Sequence, residues 1–172
     1  PKLREAGWEK QPHSLTEQYT FTNGRVRIVG DKVKRGEQKR ADYLLRYTRD
    51  FPLAVVEAKP EDAAVGTGMQ QAKDYAEILG LNFAYSTNGK EILEFDYLTG
   101  FEQLVPSYPT PEELLQRLTT TNLNDEQSKA LLTPNHHVQG YTPRYYQQIA
   151  INRVVQSILE GKKRTLITMA TG

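Results

Sequence analysis

The chain contains no cysteine, so it can form neither a disulfide nor a thiolate metal site, and it suits a reducing cytoplasm. No apolar run approaches membrane-spanning length and no secretory pattern is present, so no membrane partner is expected. Charge of one sign is also scarce: a formal net charge of +1 gives no global attraction for nucleic acid. There is no internal repeat. Of the three histidines, His136 and His137 are adjacent, with no cysteine or third histidine near them, and we assign them no catalytic role. What remains is 38% hydrophobic and 25% charged, the balance of a soluble globular protein. The 172 residues suffice for one domain with a real core and a piece of another.

The most informative string is Val55-Val56-Glu57-Ala58-Lys59. Side chains at i and i+2 of a strand share a face, so Glu57 and Lys59 project into one place. In isolation such a pair reads as a solvated surface ion pair. Here it follows Leu53-Ala54-Val55-Val56, a continuous apolar run typical of a buried strand, and a charged pair at the end of a buried strand requires a reason. Upstream, Arg40-Ala41-Asp42-Tyr43-Leu44-Leu45 reads as a second strand carrying its own acid, separated from the first by the turn-rich Thr48-Arg49-Asp50-Phe51-Pro52. Folded as a hairpin, the two strands place Asp42 near Glu57 and Lys59. Two acids and a lysine suit a metal-dependent phosphodiesterase. Mg²⁺ takes oxygen ligands and few protein carboxylates, which Asp42 and Glu57 would supply, while Lys59 would orient a water or neutralise developing charge.

Asp42 followed by Glu57-x-Lys59 resembles the PD-(D/E)xK nuclease motif. The wording Lys39-Arg40-Ala41-Asp42-Tyr43 and Ala54-Val55-Val56-Glu57-Ala58-Lys59 is similar to the amino-terminal nuclease domain of type I restriction enzyme motor (R) subunits. Ala41 stands where the motif has proline, a residue that is not a ligand. Gln71 and Tyr75, at i and i+4 on one helix face, resemble the Q-x-x-x-Y motif that supports DNA engagement in this family; without that context they read as an ordinary amphipathic helix. The resemblance implies that Asp42 and Glu57 hold Mg²⁺, that the Ala58 carbonyl completes the metal shell, and that Lys59 assists the nucleophile. Arg25, Arg27, Lys32, Lys34, Arg35, Lys39 and Arg40 cluster ahead of Asp42; of these, Arg35, Lys39 and Arg40 are expected to meet backbone phosphates, unless the stretch is simply a solvated hairpin loop.

A second resemblance lies at the far end. Tyr141-Thr142-Pro143-Arg144-Tyr145-Tyr146-Gln147 opens an amphipathic helix. Gly161-Lys162-Lys163-Arg164 then leads into an apolar strand, Thr165-Leu166-Ile167-Thr168-Met169, and Ala170-Thr171-Gly172. This order looks like the entry of a superfamily 2 helicase, with Gln147 as the Q-motif glutamine that reads adenine and Ala170-Thr171-Gly172 as the start of a Walker A loop. It implies that Arg144, Gln147, Thr171 and Gly172 contact ATP in the intact protein. It also implies that the chain is part of a longer protein and hydrolyses no ATP by itself.

The expected fold class is α/β: a mixed central sheet flanked by helices, which the resemblance makes a restriction-endonuclease-like core. Its elements are a helix tail from Lys2 to Ala6 with Trp8 packed beneath it, a strand or hairpin from Thr20 to Val29, and the site strands Asp42 to Tyr47 and Leu53 to Lys59. A helix from Gly66 to Leu79, strands Asn82 to Thr87 and Glu91 to Tyr97, and a short helix from Pro111 to Leu118 follow. The expected domains are a nuclease domain over 1–110, a helical and polar linker over 111–140, and the start of a motor domain over 141–172. The family implies cleavage of double-stranded DNA coupled to ATP-driven translocation, with methyltransferase and specificity subunits as partners. Three alternatives stand beside it: a translocase whose nuclease-like module only binds DNA or docks partners, a different nuclease such as a resolvase or a fused restriction–modification enzyme, and a non-enzymatic module in which Glu57 and Lys59 are a structural pair.

Overall fold

The computed structural model describes residues 1–22, 37–120, 123–134 and 143–168, and the backbone of 26–29 and 32–35. The short helix α1 (Lys2–Glu5) is followed by strands β1 (Leu15–Thr22), β2 (Val26–Val29), β3 (Lys32–Arg35), β4 (Gln38–Thr48) and β5 (Phe51–Ala58). A single 3-10 turn (Val65–Gly68) leads into α2 (Met69–Leu79). Then come β6 (Phe83–Thr87), β7 (Ile92–Asp96), β8 (Phe101–Val105), α3 (Pro111–Thr120), α4 (Asp125–Leu131) and α5 (Tyr145–Leu159). Six strands form one mixed sheet in the order β1-β4-β5-β6-β7-β8, while β2 and β3 form a separate ribbon. Among the described residues only β5 and β6 pair in parallel, and the crossover between them is α2.

The sheet divides two cores, and the period of the strand decides which side each residue joins. On β5, Ala54 and Val56 face a core with Trp8, Phe83, Tyr85, Ile92 and Leu114, whereas Val55 faces Ala72, Tyr75, Ala76 and Leu79 of α2. Glu57 follows Val55 by two and therefore lies on the α2 side. Burying Val55 and Val56 completely stabilises the fold by about 1.5–3 kcal/mol each. Helix α2 buries Met69, Ala72, Tyr75, Ala76 and Leu79, the stripe expected of a 3.6-residue period, and ends at Gly80 in the left-handed region (φ 66°). Helix α3 starts with reciprocal capping: the Thr110 N–H donates to Glu113 Oε2 at 2.7 Å, and the Glu113 N–H donates to Thr110 Oγ1 at 3.2 Å. It docks through Arg117, whose Nη1 lies 3.0 Å from Oε1 of the buried Glu94, while Tyr85 donates to Glu94 Oε2 at 2.6 Å. Trp8 is fully buried, as expected, and donates through Nε1 to the Pro109 carbonyl at 2.9 Å.

The structure differs from the expected elements at three places. Strand β1 begins at Leu15 and ends at Thr22, and residues 26–29 pair with 32–35 instead of extending it. Strand β8 was not foreseen: four of its five residues are exposed, so no buried alternation marks it. The strand expected from Thr165 is absent over 165–168, where Leu166 and Ile167 are exposed and no neighbouring strand among the described residues supplies a ladder. Met169, Ala170, Thr171, Gly172, Tyr141 and the pair His136 and His137 lie outside the described residues. No helix among the described residues is long and apolar enough to cross a membrane.

Candidate active site

The antiparallel register that sets Tyr43 opposite Val56 brings Asp42 across from Glu57. The two acids are tied through the backbone. The Ala58 N–H donates to Asp42 Oδ2 at 2.8 Å, and the Asp42 N–H points at Glu57 Oε1 at 3.4 Å. One residue past the end of β5, the Lys59 N–H donates to the Thr87 carbonyl at 2.8 Å, which extends the parallel pairing and fixes the lysine at the strand end. Lys59 Nζ then lies 3.5 Å from Glu57 Oε2 and donates to Gln71 Oε1 at 2.9 Å. Gln71 in turn donates through Nε2 to the Tyr75 hydroxyl at 3.0 Å. Asp42, Glu57, Lys59, Gln71 and Tyr75 thus form one continuous polar chain from the middle of β4 and the end of β5 onto the first turns of α2.

Glu57 is 2% exposed. Burial, and next the neighbouring Asp42, push its carboxyl up from the ordinary 4.5 to about 7, against the opposing pull of Lys59. An acid held near neutrality beside a second acid is a site that a cation would relieve. Among the described residues no three His, Cys, Asp or Glu side chains gather as a metal cage. Asp42, Glu57 and the Ala58 carbonyl at the strand end are an all-oxygen, carboxylate-poor set. That donor chemistry fits Mg²⁺, which keeps most of its shell for water and phosphate.

Three further residues build the site, and the sequence alone singled out none of them. Gly68 opens α2 directly against the charged pair: a Cβ there would stand 2.8 Å from Ser86 Oγ, 3.0 Å from Lys59 Cε and 3.2 Å from Glu57 Cβ. Only a glycine lets the helix approach this closely. Ser86, on β6 opposite Glu57, donates to the Val65 carbonyl at 2.5 Å and holds that turn in place. Gln18, on β1, donates through Nε2 to Asp42 Oδ1 at 3.2 Å and has φ 52°, a conformation costing a non-glycine residue roughly 1–2 kcal/mol. Gly68 and Ser86 become visible only once β6 and α2 are packed, and Gln18 only once β1 is in register.

The expected DNA contacts are placed unevenly. Lys39 sits with its Nζ 5.5 Å from the centre of the Tyr75 ring, while Arg40 is exposed on β4, two residues before Asp42. Arg35 falls on β3, with its side chain outside the described residues. Arg144 and Gln147 belong to the start of α5, apart from the polar chain. The Arg144 N–H donates to Gln147 Oε1 at 2.9 Å, which closes the first turn of the helix, and Arg144 Nη1 donates to the Tyr146 hydroxyl at 3.1 Å.

Comparison with known proteins agrees with the family resemblance. Residues 9–107 match the family model for the type I restriction enzyme R protein N terminus. The chain is 30% identical to the type I restriction enzyme EcoAI endonuclease subunit of Escherichia coli over all of its own length and 22% of the relative's. It is 23% identical to the EcoKI endonuclease subunit of Escherichia coli strain K12, over 99% of the chain and 19% of the relative. A solved structure described as a fragment of an HsdR subunit of a type I restriction enzyme from Vibrio vulnificus YJ016 is 70% identical. It superimposes with a TM-score of 0.87, covering 100% of this chain and 33% of that one. The chain therefore spans about a fifth of these two endonuclease subunits. With more than half of its residues inside the family model, the chain belongs to the type I restriction enzyme R protein family and corresponds to its N-terminal part.

Proposed function

We propose that residues 1–110 form a PD-(D/E)xK nuclease domain of restriction-endonuclease-like fold, and that it cleaves double-stranded DNA by Mg²⁺-dependent phosphodiester hydrolysis. The observation that carries this reading is the convergence of Asp42, Glu57 and Lys59 at the end of β5, joined to Gln71 and Tyr75. Bound Mg²⁺ would acidify a water and neutralise charge on the attacked phosphate. The chain's own residues do the rest. Asp42 and Glu57 would present carboxylate oxygens, and the Ala58 carbonyl would complete the protein's share of the metal shell. Lys59 is held between the Glu57 carboxylate and the Gln71 amide oxygen, so its ammonium is fixed next to the acids and can stabilise charge developing on the phosphate. Tyr75 receives the other end of the Gln71 amide and so sets which way that amide faces. Lys39 and Arg40 lie near the site and would neutralise DNA phosphates.

In the whole protein we assign residues 111–140 to the connection between nuclease and motor, with α3 packed on the nuclease core through Leu114 and Arg117 and so no free linker, and 141–172 to the entry of an ATP-driven motor, with Arg144, Gln147, Thr171 and Gly172 at the nucleotide. Methyltransferase and specificity subunits are the expected partners, since the two relatives are endonuclease subunits of type I restriction enzymes. The test is Asp42→Asn in the full-length subunit, assembled with its partners and given supercoiled plasmid, ATP and Mg²⁺. Cleavage is expected to fall by about 100-fold or more while ATPase activity is retained. Cleavage at the wild-type rate would exclude Asp42 from the chemistry.

A further inference from the structure

We infer that Gln18 is a positioning residue for the metal-binding carboxylate Asp42, an assignment that rests on the nuclease reading above. Strand β1 pairs with β4 on both sides of this point, Glu17 with Tyr43 and Tyr19 with Ala41, which puts Gln18 directly across from Asp42. At this one position the ladder breaks and the backbone turns left-handed, with φ 52°. No turn or strand end calls for that conformation: Gln18 is the fourth residue of an eight-residue strand. What it accompanies is the contact of its amide with Asp42 Oδ1 at 3.2 Å, while the Ala58 N–H holds Oδ2 at 2.8 Å.

The Asp42 carboxylate is therefore gripped from β1 on one oxygen and from β5 on the other. Backbone strain maintained at a residue that touches a proposed ligand is characteristic of functional sites. Hydrogen-bond donors behind a metal-binding carboxylate fix its orientation and tune affinity for the ion. An ordinary strand glutamine would need neither the positive φ nor the bond to Asp42.

The test measures Mn²⁺ binding by electron paramagnetic resonance, in the absence of nucleotide, together with the melting temperature, on the full-length subunit. Wild type is compared with Gln18→Gly, Gln18→Asn and Asp42→Asn. Glycine relieves the left-handed backbone and removes the amide. Asparagine tolerates the same backbone but is one methylene shorter. Both Gln18 variants are expected to keep or raise the melting temperature and to weaken Mn²⁺ binding by about 10-fold or more. A purely structural glutamine would shift the melting temperature without moving Mn²⁺ affinity. If Asp42→Asn loses Mn²⁺ and both Gln18 variants bind it as wild type does, the positioning role is overturned and the nuclease reading stands. If Asp42→Asn binds as wild type does, both fall.

Discussion

Glu57 is where stability and chemistry pull in opposite directions. Its carboxyl is pushed up to about 7 because it is buried and stands beside Asp42, so in the metal-free fold the ionised form is disfavoured. The folded chain then holds a proton that the unfolded chain, with the ordinary value of 4.5, has already released. This group's contribution to stability is present below about 4.5 and is lost as pH rises through about 7. Glu57→Gln removes the titration and keeps the shape. In chelator it should melt higher than wild type at pH 8 and nearly equal to it at pH 4.5, while cleaving no DNA. Added Mg²⁺ should raise the wild-type melting temperature more at pH 8 than at pH 5, since it binds ionised carboxylates. Differential scanning calorimetry with and without chelator reads both effects; a Glu57→Gln protein no more stable than wild type at pH 8 would contradict the buried-acid account.

At this scale the sequence was readable where the chemistry is local. Glu57 and Lys59 are two apart on an apolar strand, and Gln71 and Tyr75 are one helical turn apart, so each pair is set by a backbone period. Gln18 and Gly68 follow from contacts between segments distant in sequence, and no spacing rule announces them.

Among the elements, β5 and α2 were legible because burial and period coincide: a continuous apolar run in one, a stripe ending at a glycine in the other. Gly80 performs the stop. Its φ is 66°, and its N–H reaches the Ala76 and Glu77 carbonyls. A Cβ there would also meet Arg153 Nη2 and Ile149 Cγ2 of α5, each at 3.0 Å. Gly80→Ala is accordingly expected to destabilise by about 1–2 kcal/mol, readable as a lowered urea midpoint at unchanged slope. An unchanged midpoint would mean that α2 ends without needing the left-handed residue. Strand β8 is not legible in the sequence for the opposite reason: Phe101 and Leu104 are exposed on an edge strand, so neither burial nor alternation marks it. The strand expected at Thr165 illustrates the same dependence on partners, since an apolar run with no neighbouring strand among the described residues has no ladder to join.

On the scale of the whole molecule, α5 is not an appendage. The Tyr145 hydroxyl donates to the Thr22 carbonyl, Asn152 Nδ2 donates to the Asp50 carbonyl at 2.9 Å, and the Tyr145 ring lies 6.2 Å from Phe21. Phe21 in turn stacks edge-on with Tyr75 at 5.1 Å. The helix proposed to open the motor is thus seated on the body that carries the candidate site. The sequence suggests two modules in a row; the seating of α5 depends on side chains far apart in sequence, such as Phe21 and Tyr145, and could not be read from it.

The proposed function makes Asp42, Glu57 and Lys59 the cleaving centre and the motor a separate activity. The most direct measurement is plasmid cleavage and ATPase activity, on the same samples, by the full-length subunit assembled with its partners, comparing wild type with Lys59→Ala. The account predicts that cleavage drops by about 100-fold or more while ATP hydrolysis persists. If Lys59→Ala cuts at the wild-type rate, Glu57 and Lys59 are not the catalytic pair, and the polar chain at the end of β5 serves DNA binding or docking instead.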